Sequence, residues 1–155
     1  MKYMIIGGVA GGASTAARLR RLDEQAEIIL FEKGEYISYA NCGLPYYIGG
    51  VIEERERLFV QTPESFKARF NIEVRIKSEV KAIEPENKQV VIKDWATGKT
   101  YRESFDKLVL SPGAEPVLPP WEGIRTEGIF TLRNVADTDR IKACLLYTSD
   151  AADEL

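Results

Sequence analysis

Met4-Ile5-Ile6-Gly7-Gly8-Val9-Ala10-Gly11-Gly12-Ala13-Ser14 is the stretch that decides how this chain is read. An apolar run over residues 2–6 meets a glycine-rich turn at once, and the period predicts a buried strand there. Gly11 to Leu22, rich in alanine and arginine, reads as a helix. Asp23-Glu24-Gln25 is a polar connection, and Glu27 to Phe31 is a second apolar strand that ends at Glu32. Strand, glycine turn, helix and strand in this order are the start of a Rossmann-type α/β nucleotide fold. The phosphate of a dinucleotide would sit on the free N–H groups and positive dipole end of the first helix. Glu32 falls at the tip of the second strand, where a carboxylate can accept hydrogen bonds from ribose hydroxyls. With Gly7 as first glycine and Gly12 as third, the middle position is Val9. A β-branched residue there hinders close approach of a pyrophosphate, which Gly8 and Gly11 can offset. On the motif alone, a glycine turn used only for tight strand–helix packing remains open.

The 155 residues suffice for one domain with a modest core. An apolar content of 45% with 29% charged residues is ordinary for a soluble globular protein. No apolar run is long enough to span a membrane, and the apolar start is a strand rather than an export signal, so a cytoplasmic address is expected. Neither a membrane nor nucleic acid is expected as a partner. With no histidine, imidazole-based acid–base or metal chemistry is excluded within the chain, and no metal site is expected. The two cysteines lie far apart and read as thiols rather than a structural disulfide.

Further along, a short helix is predicted from Cys42 through Ile48, closed by Gly49-Gly50. Thr62 is a good N-cap and Pro63 a good first residue for a helix to about Phe70. Short strands are predicted at Ile72–Ile76 and Val80–Ile83. Val90–Ile92 and Tyr101–Phe105 flank Asp94 to Lys99 as a hairpin. Lys107 to Leu110 is a buried strand ending in Ser111-Pro112-Gly113-Ala114, and the prolines between Pro116 and Pro120 mark a surface loop. Ile129–Leu132 is predicted as a last strand, and a helix is predicted from Asp137.

Cys42 stands in Ser38-Tyr39-Ala40-Asn41-Cys42-Gly43-Leu44-Pro45-Tyr46-Tyr47. A redox or nucleophilic cysteine must be available as thiolate, and a helix N-terminus favours the anion. Tyr47 occupies the position five residues on, so Cys42 has no local dithiol partner. It would cycle through a mixed disulfide with a small thiol, or through sulfenic acid. Taken alone, a single cysteine is more often a buried packing residue than a redox centre. Ser14, Arg18 and Arg21 are spaced i, i+4, i+7 on one helix face. Two arginines there suit a polyanionic ligand, and a solvated basic face is the other reading.

The stretch from Gly7 to Gly50 resembles the single-cysteine branch of the flavin-dependent pyridine nucleotide–disulfide oxidoreductases, and within it the coenzyme A-disulfide reductases, some of which are fused to a rhodanese domain. The resemblance is carried by Gly7 through Ser14, Phe31-Glu32-Lys33 and Ser38 through Tyr47. Thr131 to Asn134 and Asp137-Thr138-Asp139 also match, so the likeness spans residues 2–143. Tyr39 stands where the family usually has phenylalanine.

That resemblance implies a Rossmann-like FAD/NAD(P)-binding domain, with a central parallel sheet, helices and a β-meander, of which residues 1–143 are the first part. It implies FAD contacts from Gly7, Gly8, Val9, Ala10, Gly11, Gly12, Glu32 and Lys33, with the backbone at Val80 near the adenine. Ser111, Gly113, Ala114 and Arg133 would approach other parts of the flavin, with Cys42 as the redox nucleophile. Substrate contacts are implied for Ser14, Arg18, Arg21, Ser38 and Asn41. Phe70 stands where some members carry a substrate-binding lysine. Related peroxidases and water-forming oxidases typically place a histidine at the position of Ala10, so alanine favours disulfide or polysulfide substrates over peroxide or oxygen. In the complete enzyme, expected to be a homodimer, NAD(P)H would reduce FAD and electrons would pass to a mixed disulfide between Cys42 and coenzyme A. A non-catalytic flavin-binding fragment is the reading of the chain taken by itself.

Residues 144–154 look like the translated end of a transposase adapter used in sequencing libraries, so 144–155 are expected to be a non-native tail on a shortened chain. A natural C-terminal helix is the alternative. On the tail reading Cys144 is no resolving partner for Cys42. Asp150, Asp153 and Glu154 then account for the whole excess of 24 acids over 21 bases, and the net charge of −3 says nothing about partners.

Overall fold

The structure is a computed structural model that describes residues 1–153. In chain order its elements are β1 (Lys2–Ile6), α1 (Ala10–Leu22), β2 (Glu27–Phe31), α2 (Leu44–Ile48), α3 (Pro63–Phe70), β3 (Glu73–Arg75), β4 (Ser78–Glu84), β5 (Gln89–Asp94), β6 (Thr100–Ser104), β7 (Lys107–Leu110) and α4 (Val135–Asp153), with 3₁₀ turns at Asn41–Gly43 and Arg55–Leu58. They form two compact units, one of residues 1–39 and 59–113, the other of residues 40–58 and 114 onward.

The first unit holds a four-stranded sheet in the order β3-β2-β1-β7, parallel throughout, and a three-stranded antiparallel meander, β4-β5-β6. Alternation along the strands sends side chains to both faces of the parallel sheet. Ile5, Ile28 and Leu30 join Ala13 and Ala16 of α1 and Phe66 of α3 in one buried cluster. Met4, Ile29 and Phe31 point the other way and pack on Val90 and Ile92 of the meander. A sheet covered on both faces has no polar side, which is why β1 and β2 read as unbroken apolar runs. The small residues Gly12, Ala13 and Ala16 are the buried face of α1, and they let the helix lie close to the sheet.

Charge ties the periphery of this unit together. Arg20, in the last turn of α1, donates to the carbonyls of Asp23, Glu24 and Ala26 beyond its own helix, and to Phe70 and Asn71 at the end of α3. One guanidinium thus ties the turn that follows α1 to the carbonyl end of α3, where the dipole favours a cation. At the junction of sheet and meander, Glu103 accepts from Lys2 at 2.6 Å and from Arg75 at 2.8 Å. Arg75 also bonds Glu73 at 2.6 Å and lies over the rings of Phe31 and Tyr101. Burial raises the Glu103 pKa, but the bonds and charges of Lys2 and Arg75 outweigh it and hold the carboxyl below its ordinary value.

In the second unit α2 packs on α4. Asn134 and Asp137 cap α4 reciprocally: the Asp137 N–H donates to Asn134 Oδ1 at 3.0 Å, and the Asn134 N–H to Asp137 Oδ2 at 3.2 Å. The helix therefore starts at Val135, two residues before the predicted Asp137. It runs unbroken past 144, because leucine- and alanine-rich sequence propagates a helix already nucleated. Of the expected tail, 154 and 155 lie outside the described residues.

Most boundaries agree with the sequence to within a residue or two. The α3 helix has its Thr62 cap, with Ser65 completing a capping box, and ends on Asn71 at a left-handed φ of 49°. The predicted strand at Ile129–Leu132 is a correction: this stretch is irregular. A strand exists by pairing, and these residues join neither described sheet. Their apolar character leaves Ile129, Phe130 and Leu132 exposed instead. Leu110, Val117 and Trp121 are exposed as well. Among the described residues no helix is long and apolar enough to cross a membrane.

Two outcomes are expected of this unit. Arg20→Met leaves five carbonyls without their charged donor and should lower unfolding free energy by at least about 2 kcal/mol, read as a lower urea midpoint. Glu103 has a depressed native pKa, so its stabilisation is complete above the ordinary carboxyl range and is lost as pH falls through the native value. Glu103→Gln should therefore lower stability at pH 7 and flatten its decline in acid, measured by thermal unfolding between pH 7 and 3.

Candidate functional site

The glycine turn is built where three backbones meet. Gly7 has φ +98°, and its N–H donates to the Phe31 carbonyl at 2.8 Å. A Cβ on Gly7 would stand 1.9 Å from the Ser111 carbonyl oxygen, and one on Gly12 would stand 1.7 Å from the Gly7 carbonyl oxygen. Neither position has room for any side chain. Ser111 extends β7, its N–H donating to the Ile6 carbonyl, and so reaches the turn from the far side. Gly7, Gly11, Gly12 and Ser111 thus lie together, with Gly8 between them in the turn.

Val9, the odd member of the motif, is the N-cap of α1, and no side chain caps that helix. The contrast with α3 and α4, both closed by capping boxes, is informative. A helix start leaves its first N–H groups without intrahelical partners, and here Ala10 and Gly11 hold theirs at an exposed surface. That arrangement fits an anionic group seated on the turn.

Glu32 lies beside it and is only 9% exposed. Its Oε2 accepts the Gly8 N–H and its Oε1 the Gly34 N–H, both at 2.8 Å. The carboxylate therefore organises the turn as well as facing it, a structural duty that the sequence reading did not assign. Two oxygens carry four acceptor positions, so ribose hydroxyls can still be accommodated. Lys33 is exposed. Its charge acts on Glu79, the neighbour of Val80 on β4: burial raises the Glu79 pKa, while Trp95, Lys81 and then Lys33 bring it to a net lower value. Val80 itself is half-buried against the meander-side core.

Along α1 runs a cleft of about 310 Å³. Ser14 and Ser38 line it, with Ala13 and Ala17 on the α1 side and Phe66 and Phe70 on the α3 side. Ser38 has φ 46°, a left-handed conformation rare for a residue with a side chain. Its N–H donates to the Gly8 carbonyl, and its carbonyl accepts from Val60, each at 2.8 Å. The glycine turn and the cleft therefore share a wall. Arg18 and Arg21 are exposed on the same helix as Ser14. Gln61 and Val60 also line the cleft, and nothing in their local sequence marks them. Arg20 lies off the 14/18/21 stripe of α1. Its position in the last helical turn, before Asp23, was the available signal.

The second unit carries the thiol. Cys42 is exposed, forms no disulfide, and sits in the 3₁₀ turn Asn41–Gly43 that leads directly into α2. The cysteine thus precedes the helix by a turn rather than opening it. Asn41 is exposed beside it, whereas Gly43 and Leu44 are buried. Arg133 donates through Nε to the carbonyl of Ala114, which joins two residues expected at the flavin. Gly113 has φ +74°.

The chain matches a family described as pyridine nucleotide-disulphide oxidoreductase over residues 1–147. A coenzyme A disulfide reductase of Staphylococcus aureus (strain JH9) is 46% identical over 140 residues, covering 90% of this chain and 31% of that protein. Among solved structures, reduced CoADR-RHD of Bacillus anthracis is 60% identical with a TM-score of 0.90, covering 92% of this chain and 26% of that one. An NAD-dependent persulfide reductase from A. fulgidus is 35% identical with a TM-score of 0.88, covering 96% and 27%. The chain spans about a third of the length of the curated relatives it matches.

The glycine geometry makes opposite forecasts for neighbouring positions. Gly12→Ala should cost about 3 kcal/mol, because backbone must move to admit the methyl group. Gly11→Ala meets only the Ser111 hydroxyl at 3.2 Å and should be neutral or stabilising by up to about 1 kcal/mol. Chemical denaturation of the two variants measures the difference.

Proposed function

Because the chain belongs to the pyridine nucleotide-disulphide oxidoreductase family, we propose that it is the first part of the FAD-binding domain of an NAD(P)H-dependent coenzyme A-disulfide reductase that works through Cys42. The observation that carries this reading is an exposed cysteine outside any disulfide, in a chain that also presents an uncapped helix over a glycine turn. Gly7, Gly8, Val9, Ala10, Gly11 and Gly12 would hold the pyrophosphate of FAD, Glu32 and Lys33 the ribose side, and Val80 the adenine. Ser111, Gly113, Ala114 and Arg133 would border the remainder. No side chain caps α1, and its first N–H groups, at the exposed Ala10 and Gly11, face outward from the turn, so the residues present suit the group. Bound there, the flavin would supply the two electrons that originate from NAD(P)H.

The chain's own chemistry is sulfur exchange. The Cys42 thiolate attacks one sulfur of coenzyme A disulfide, forms a mixed disulfide and displaces one coenzyme A thiolate. Two electrons cleave the mixed disulfide, release the second coenzyme A and restore Cys42. The absence of a second cysteine nearby suits this cycle, since Tyr47 stands where a local resolving thiol would be. Ser14, Arg18, Arg21, Ser38 and Asn41 would orient the substrate. The arginines would take its phosphates and the apolar Ala17–Phe70 cleft its aliphatic arm. The complete protein would be a homodimer in the cytoplasm. A sulfane-sulfur substrate, persulfide or polysulfide, is the second reading, favoured by the 35% identical persulfide reductase.

Full-length protein carrying this chain should oxidise NAD(P)H with coenzyme A disulfide faster than with polysulfide, peroxide or oxygen. Cys42→Ser should keep its flavin absorbance while disulfide turnover falls to background, because a hydroxyl forms no mixed disulfide. Wild-type turnover in that variant would overturn the redox role of Cys42. Faster turnover with polysulfide would select the second reading.

A further inference from the structure

The helix after Cys42 has only five residues, Leu44 to Ile48. Helices of that length are not stable in water by themselves, so something outside α2 must hold the turn that presents the thiol. Two contacts from α4 do so. Lys142 donates through Nζ to the Tyr47 carbonyl at 3.0 Å, and the same ammonium lies 3.6 Å from the centre of the Tyr47 ring. The Tyr47 carbonyl is at the C-terminal, negative end of α2, so Lys142 caps the helix from a second element. One turn earlier on α4, Asp139 binds Arg55 through both oxygens, to Nε at 2.9 Å and to Nη2 at 2.7 Å. Paired N–H bonds of this kind fix orientation as well as distance. Arg55 opens the 3₁₀ turn that ends at Leu58. The Leu58 carbonyl accepts the Ala40 N–H at 2.8 Å. The Leu58 side chain also closes over Gly43, where an added Cβ would stand 3.2 Å away. The segment from Ala40 to Ile48 is therefore held at both ends from α4, at its start through Arg55 and Leu58 and at its close through Tyr47.

We propose that Lys142 and Asp139 are positioning residues for the Cys42 thiol: α4 is a clamp that keeps the Asn41–Ile48 turn in one geometry so that Cys42 can attack a disulfide in line. The role of the thiol rests on the reading above, whereas the clamp itself does not. Neither residue touches the sulfur. Their effect passes through Tyr47 on one side and Arg55 on the other.

The test uses the full chain with Cys144→Ser, so that a single thiol reports. The reporter is the aromatic disulfide 5,5′-dithiobis(2-nitrobenzoate), from which thiolate attack forms one mixed disulfide and releases one coloured thiolate. Lys142→Met and Asp139→Ala should each speed amide exchange across 43–48 about tenfold and leave the β1 and β2 amides unchanged. Each should slow the Cys42 reaction at least threefold, since a loosened turn spends a smaller share of its time in the in-line orientation. Lys142→Arg retains the cation and should restore both readouts. Exchange at 43–48 that stays within twofold, a thiol rate that is unchanged or raised, or acceleration shared equally by β1 and β2 would overturn the clamp. Turnover retained in Cys42→Ser would instead overturn the redox role and leave these measurements on the turn standing.

Discussion

Backbone meets backbone at Gly7, and the rest of the first unit is arranged around that contact. The Ser111 carbonyl approaches its α-carbon from β7, and the Gly7 carbonyl in turn sits against Gly12. Three segments, the first and the last of them more than a hundred residues apart, share one point with no side chain in it. Such contact requires β7 beside β1 in parallel register, which the pairing of Ile6 with Leu110 provides. It also requires a helix whose first turn lies close to the strand, which the Gly12, Ala13 and Ala16 face provides. The cradle that results has N–H groups and no bulk, the form expected of a surface made to receive a phosphate.

The glycine turn also depends on a carboxylate. Glu32 ties the Gly8 and Gly34 amides together from the end of β2. A residue expected to serve a ligand is also part of what shapes the turn itself. Ser38, held in a left-handed conformation by bonds to Gly8 and Val60, plays a similar part on the cleft side. Strain at such a position persists only where surrounding structure over-determines it. Here the two backbone bonds do so.

The thiol segment is organised on a different principle. Among the described residues of the second unit, no sheet supports it. A five-residue helix and its 3₁₀ lead-in are secured instead by two charged side chains of α4 and by a leucine over a glycine. Charge-assisted bonds hold direction better than apolar packing does, which suits the positioning role proposed for α4.

Much of this was legible in residues 2–32, where apolar runs, glycines and a terminal acid occur in an order that few folds use. Strand and helix identities, the capped start of α3 and the meander are local properties, fixed by period, propensity and cap chemistry within a few residues. The sequence by itself determined those, and the family resemblance directed the expected chemistry to Cys42 and the glycine turn. Tertiary structure alone decided that Glu32 braces the turn, that Arg20 joins the ends of α1 and α3, and that α4 clamps the cysteine segment. It also decided that Ile129–Leu132 would not be a strand. Each of these rests on partners far away in the chain, Glu32 with Gly8, Arg20 with Phe70, Lys142 with Tyr47. Hydrogen bonds and strand pairs between distant residues leave no periodic trace in a sequence, because their partners meet only after the chain has folded.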